Sequence, residues 1–163
     1  MFDTPVDAWY AWLGVSAAAL VVFGVVTSLP TTPPPDAAGA AETVDAVAAA
    51  EYDTTAVRAL DARAVDVDSQ RIGLRNDAGT THATLGYRVV PVGDDARLAR
   101  VLRGAPPRTV FAAATAFKRA ASAARAGDSA WRPAGDYLVA RHCSWGDVDV
   151  TLVGTLDARP GGR

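Results

Sequence analysis

The chain passes through three regimes of hydrophobic patterning. From Ala8 to Leu29 the apolar positions run on for 22 residues without a charge. As a helix that is about 33 Å, matched to a hydrocarbon core of roughly 30 Å. Trp9, Tyr10 and Trp12 stand at its start, where amphipathic rings favour a headgroup layer, and Pro30, Pro33, Pro34 and Pro35 end it. The leader carries Asp3 and Asp7 and no Lys or Arg, unlike a cleavable secretory signal. The pattern therefore predicts a retained transmembrane helix over 1–29 and a Pro/Ala-rich stalk over 30–40. Within that helix Gly14, Ala17, Ala18, Val21, Gly24, Val25 and Ser28 fall in a sector of roughly 120° at helical spacing. A second helix could pack there, or the sector could simply face lipid.

Helical periodicity returns over 41–57, an Ala-rich segment with Val44, Val47 and Ala48 on one stripe and Glu42, Asp45 and Glu51 outside. The third regime is strand-like and opens the domain assigned to 58–158, with a disordered tail over 159–163. Val65 and Val67 alternate with Asp66 and Asp68, and Ile72 and Leu74 alternate with Arg71, Gly73 and Arg75. The turn residues "NDAG" at 76–79 join this run to "THATLGYRVVPV" as a hairpin. "DDARLARVLRGAPP" follows as a helix, opened by Asp94 and Asp95 and closed by Gly104 and Pro106. "RTVFAAATAFKRAASAARAG" forms the next, with Val110, Phe111, Ala114, Phe117 and Ala121 inward and Lys118, Ser122 and Arg125 outward. A last hairpin turns at "SWGD", with Val148, Val150 and Leu152 on one face of its second strand. The order implies an α+β fold: an N-terminal transmembrane helix, then a small antiparallel sheet domain packed with helices on one face, in which the two hairpins could be neighbours.

Charge changes this picture in one respect. The net charge of −2 conceals an asymmetry, because residues 1–57 hold seven acids and no Lys or Arg, while the rest hold sixteen bases against eleven acids. Arginine supplies all the bases except Lys118. Arg97, Arg100, Arg103 and Arg108 form a possible basic face for phosphates or lipid headgroups, although placement near helix ends and plain solvation explain much of the series. The positive-inside rule is silent, since no Lys or Arg lies close to the apolar run, and the Thr/Pro stalk favours an extracytoplasmic domain.

Candidate chemistry is sparse. Cys143 is the only cysteine, which excludes an internal disulfide and reads as a small buried hydrophobe. His142 adjoins it, but consecutive strand residues point to opposite faces, and His82 is remote in sequence. No metal site is expected, and no Gly-x-Ser-x-Gly elbow or phosphate-cradling glycine loop occurs. Trp131 and Trp145 read as packing rather than as a ligand platform. No catalysis, no cofactor and no nucleic-acid partner are expected.

The N-terminal "MFDTPVDAWYAWLGVSAAALVVFG" and the C-terminal "RHCSWGDVDVTLVG" together resemble a haloarchaeal family of short membrane-anchored proteins whose genes accompany type IV pilus-like assembly ATPases and platform proteins. Arg- and Asp-rich usage agrees with halophile composition. The resemblance implies a pilin-like or pilus-associated structural role at the cell surface, with no catalytic residue to carry over. The segment "MFDTPVDAWY" lacks the basic leader and the following acid of a type IV pilin, so an accessory component of a pilus-like or secretion assembly is the form expected. Its partners would be membrane lipid and copies of itself or other membrane helices. The alternative is a tethered binding module that holds a soluble partner through its basic face or an open sheet edge.

Overall fold

A computed structural model of the chain describes residues 13–17 and 32–157. Two units divide at Pro33, Met1–Pro33 and Pro34–Arg163. In the first, residues 13–17 are helical and exposed, with Leu13 and Val15 among them; the rest of the apolar run lies outside the described residues. Among the described residues no helix is long and apolar enough to cross a membrane. The expectation of a single-pass transmembrane anchor does not stand against that finding.

The second unit begins inside the expected stalk. Pro35 is buried, and its carbonyl accepts hydrogen bonds from the Ala37 amide at 3.2 Å and the Thr81 hydroxyl at 2.6 Å. Helix α1, Ala37–Ala48, starts at once behind it, with Asp36 as N-cap accepting from the Gly39 amide at 2.8 Å. Its buried residues Ala37, Ala40, Ala41, Val44 and Val47 recur at helical spacing. The helix therefore lies earlier than 41–57 and belongs to the domain. From Thr54 the β-branched residues Thr54, Thr55 and Val57 go into a strand instead, because the segment Tyr137–His142 offers them a full ladder of partners.

Among the described residues eight strands form two four-stranded sheets. The first has the order β1 (Thr54–Ala59), β7 (Tyr137–Trp145), β8 (Val148–Leu156), β5 (Val90–Pro91). The second has the order β4 (Gly79–Thr84), β3 (Arg71–Asn76), β2 (Ala64–Val67), β6 (Arg132–Pro133). All pairings are antiparallel except β5 with β8. The fold is thus α+β and rich in antiparallel sheet. The two expected hairpins exist, but they lie in different sheets rather than as neighbours in one. In the second hairpin Trp145 faces Val148 across Gly146 and Asp147, and Gly146 has φ +66°, which a two-residue turn with glycine first requires.

Two cores share the first sheet between them. On one face Leu138, Ala140 and Val153 join α1 and the inward residues Val65, Ile72 and Leu74 of the second sheet. On the other, Val139, Cys143, Val148, Val150 and Leu152 receive three helices: α2 (Ala96–Leu102), α3 (Pro107–Val110) and α4 (Ala114–Ala126). Strand β7 serves both cores by alternation, Leu138 and Ala140 to one side and Val139 and Cys143 to the other. The single helix expected from Arg108 to Gly127 is broken at Phe111–Ala113. Phe111 turns inward with extended backbone and packs on Phe117, ring centroids 5.2 Å apart.

Candidate functional site

Four places in the domain combine exposure or burial with usable chemistry. The first is the outer rim of the first sheet. Strand β1 is an edge strand: it pairs with β7 on one side only, and Thr54, Thr55 and Ala59 are exposed. Its middle packs on both sides, Ala56 against the α1 core and Val57 against the α2–α4 core, each partly buried. Among the described residues the side away from β7 has no strand partner, over six residues without proline or lysine. Arg58, within it, pairs with Asp36 at 2.6 Å and so ties the start of α1 to the edge.

The second is the expected basic face. Arg97, Arg100, Arg103 and Arg108 are all exposed, on α2, its C-cap and α3. Arg97 is already engaged: its guanidinium lies 3.3 Å from Asp95 and 5.0 Å from the Phe111 ring centroid. Asp95 caps α2, accepting from the Arg97 and Leu98 amides at 2.8 and 3.2 Å. Burial works to raise its carboxyl, but those amides and the Arg97 guanidinium hold it below the ordinary carboxylate range. Arg100, Arg103 and Arg108 are left as the solvated part of the face.

The third is a cleft of about 420 Å³ between β2, β5, β6 and the end of α4. Val65, Val92 and Ala124 supply apolar walls, and Asp68, Asp94, Asp95 and Asp128 supply charge. Arg132 crosses it to Asp94 at 2.7 Å.

The fourth lies at the far end of β7. His142 is 5 % exposed; its Nδ1 is 3.1 Å from the Thr151 hydroxyl, and its Nε2 is 2.8 Å from an Asp149 oxygen but makes no hydrogen bond. Thr151 is itself buried at 4 %, so this Thr–His–Asp grouping is closed to a substrate. Cys143 points to the opposite face, wholly buried, and desolvation pushes its thiol up to about 11, with Asp53 adding to the rise and Arg141 opposing it. Native protein at pH 8 is therefore expected to resist a thiol-reactive aromatic disulfide, with one equivalent released only on denaturation; prompt labelling of the folded chain would contradict the burial. Among the described residues no group of three or more His, Cys, Asp or Glu side chains could hold a metal ion.

The structure separates the residues singled out in the sequence. Gly14 and Ala17 of the expected helix-packing sector are exposed in the helical residues 13–17, and nothing lies within 4 Å of a Cβ placed at Gly14. Ala18, Val21, Gly24, Val25 and Ser28 lie outside the described residues. His82 and His142 are on different sheets. Several working side chains carried no local signal. Arg141 closes the end of α2 through the Val101 and Ala105 carbonyls at 2.5 and 3.2 Å. Asp45, placed outside by periodicity, accepts from the Gly86 amide at 3.0 Å and holds the loop that ends β4. Arg125, likewise expected outside, donates to the Val89 carbonyl at 3.2 Å, and burial with nearby Arg88 lowers its pKa.

These features define a small two-sheet α+β domain with an open edge strand and no assembled catalytic group among the described residues. The chain belongs to a family of unknown function, DUF7283, whose pattern matches residues 3–143. No curated protein and no solved structure matches it.

Proposed function

We propose that this chain is a non-catalytic structural or accessory component of a larger protein assembly, joined to its partner through the open edge of the first sheet. The observation that carries the reading is β1: a six-residue edge strand anchored by Ala56 and Val57 on opposite faces, its outer side without a strand partner among the described residues. Such an edge offers a row of backbone donors and acceptors to an extended segment, and natural proteins usually blunt it with lysine, proline or a bulge. None of these protects β1. The resemblance of the two chain ends makes a pilus-like or secretion assembly the setting proposed. A closed Thr151–His142–Asp149 grouping and an inert Cys143 support the absence of catalysis from this reading.

A second reading keeps the same class of role but uses Arg100, Arg103 and Arg108 to hold an acidic partner, supported by their exposure on neighbouring helix ends. One experiment divides them. Tagged full-length chain is recovered from its own cells with its bound proteins, as wild type, as Thr55→Lys/Val57→Lys, and as Arg100→Ala/Arg103→Ala/Arg108→Ala. The edge reading expects the lysine pair to lose the partner about tenfold while the arginine triple retains it. Loss in the triple alone transfers the role to the basic face, and retention in both sinks both readings.

A further inference from the structure

The outer face of the second sheet carries a cluster that neither the fold nor the proposed assembly role requires. Along β3, Ile72 and Leu74 enter the core, so Arg71, Gly73 and Arg75 face outward. Their partners on β4 are Thr84, His82 and Thr80, all exposed. Gly73 is the centre of the arrangement. A Cβ there would come within 2.7 Å of His82 Nδ1 and 3.1 Å of the Trp131 ring, so only glycine lets both rings settle against the strand. His82 and Trp131 meet edge to face, centroids 5.8 Å apart.

Arg75 is then fixed on two sides. Its guanidinium carbon lies 4.2 Å from the Trp131 ring centroid, and its Nε donates to the Thr80 hydroxyl at 3.1 Å. Its two Nη groups find no acceptor among the described residues. A guanidinium held by stacking and by one hydrogen bond, with its fork turned to solvent, is arranged for bidentate oxyanion recognition at little further cost in side-chain order. The Thr80 hydroxyl, already accepting from Arg75, keeps its own proton to donate, and the exposed His82 ring adds another donor. Asp66, opposite Gly73 on β2, is buried and matched by Arg71 at 3.3 Å, and Asp77 is paired with Arg63. Arg119, also exposed, has no stacked ring and no side-chain hydrogen bond among the described residues.

We propose that Arg75, Thr80 and His82, arranged around Trp131 and Gly73, form an oxyanion-binding site for a carboxylate or phosphate group. This inference is independent of the edge strand and of the assembly role. The test titrates full-length protein with inorganic phosphate and, separately, with acetate at constant ionic strength, following the backbone amide and indole resonances. The expected result is a saturable movement of the Arg75, Thr80, His82 and Trp131 signals. Arg75→Gln is expected to weaken it about tenfold, and Arg75→Lys, which keeps the charge and loses the fork, several-fold; Arg119→Gln leaves it unchanged. Tighter phosphate than acetate binding identifies a phosphoryl group as the ligand, and the reverse identifies a carboxylate. Thr80→Val, which leaves the stack in place, is expected to weaken binding as well, and guards against a loss caused by misfolding of the Arg75 variants. Unsaturable shifts with both anions overturn the site. So do equal affinities in wild type and Arg75→Gln, equal losses in Arg119→Gln, or undiminished binding by Thr80→Val.

Discussion

Phe117→Ala is expected to lower the stability of the domain by about 3–5 kcal/mol, read as the shift in the midpoint of urea unfolding at constant slope. Phe117 is fully buried on α4 and is the largest fully buried side chain among the described residues. It meets Phe111 from the break between α3 and α4, so one ring fastens two helices to each other and both to the first sheet. Removing it leaves a cavity in the layer that covers Val139, Cys143, Val150 and Leu152, and Cys143 is the sensor of that damage. The thiol of the alanine variant is expected to label faster than wild type in native buffer. Phe117→Leu keeps most of the volume and is expected to cost clearly less. A loss below about 1 kcal/mol for alanine would show that the helix layer is not packed as tightly as its burial implies.

Val44→Asp is the more severe change, and its expected outcome is a chain that does not fold at neutral pH. Val44 is fully buried on α1, in the core that α1 shares with both sheets. The cluster around it consists of Ala40, Ala41, Ile72, Leu74, Leu138, Val153 and similar side chains, none able to pair a carboxylate. An unpaired buried charge costs several kcal/mol, comparable to the whole stability of a small domain, typically about 5–15 kcal/mol. Circular dichroism and amide dispersion would report the loss. Val44→Ala separates the two causes: it removes volume without charge and is expected to stay folded with a modest penalty. Wild-type dispersion in the aspartate variant would mean that α1 does not occupy the core.

The two changes also mark how the fold is connected. Phe117 belongs to the helix layer and Val44 to the layer on the other side of the first sheet. Strand β7 lies between them and feeds Val139 and Cys143 to one, Leu138 and Ala140 to the other. A sheet buried on both faces in this way has its long central strands β7 and β8 fully engaged, which leaves function to the rims. That is where the open side of β1 lies. The proposed oxyanion site has the same logic on the second sheet, whose inner face is core and whose outer face is solvent.

Much of the local structure was legible in the sequence because its causes are local. The alternation of Val65 and Val67 with aspartates and of Ile72 and Leu74 with Arg71, Gly73 and Arg75 marks β2 and β3, since a pleated strand has a period of two. Asp95 before an apolar-periodic run and Gly104 after it bracket α2, since helix ends need a side-chain acceptor and a residue tolerant of positive φ. The burial of Cys143 and its divergence from His142 follow from the same strand alternation. The transmembrane helix expected from the 22-residue apolar run is not supported, since among the described residues no helix is long and apolar enough to cross a membrane; hydropathy measures only how readily a segment leaves water.

Only the tertiary structure decided which sheet each strand joins, because that depends on hydrogen bonds between residues far apart, such as Thr54 with His142 and Val90 with Leu152. It moved the Ala-rich helix expected over 41–57, ahead of the domain, to Ala37–Ala48 in the core, where its alanine face allows close approach to two sheets, and it broke the long helix expected from Arg108 so that Phe111 could reach Phe117. The Arg75–Trp131–His82 cluster is of the same kind. Its members are scattered over 57 residues of sequence and share no motif, and they meet because β3 pairs with β4 while β6 carries Trp131 to the edge of the same sheet. Local periodicity set the elements of this protein; the long-range pairing of strands, which no window of sequence contains, set its two sheets, its open edge and its candidate ligand site.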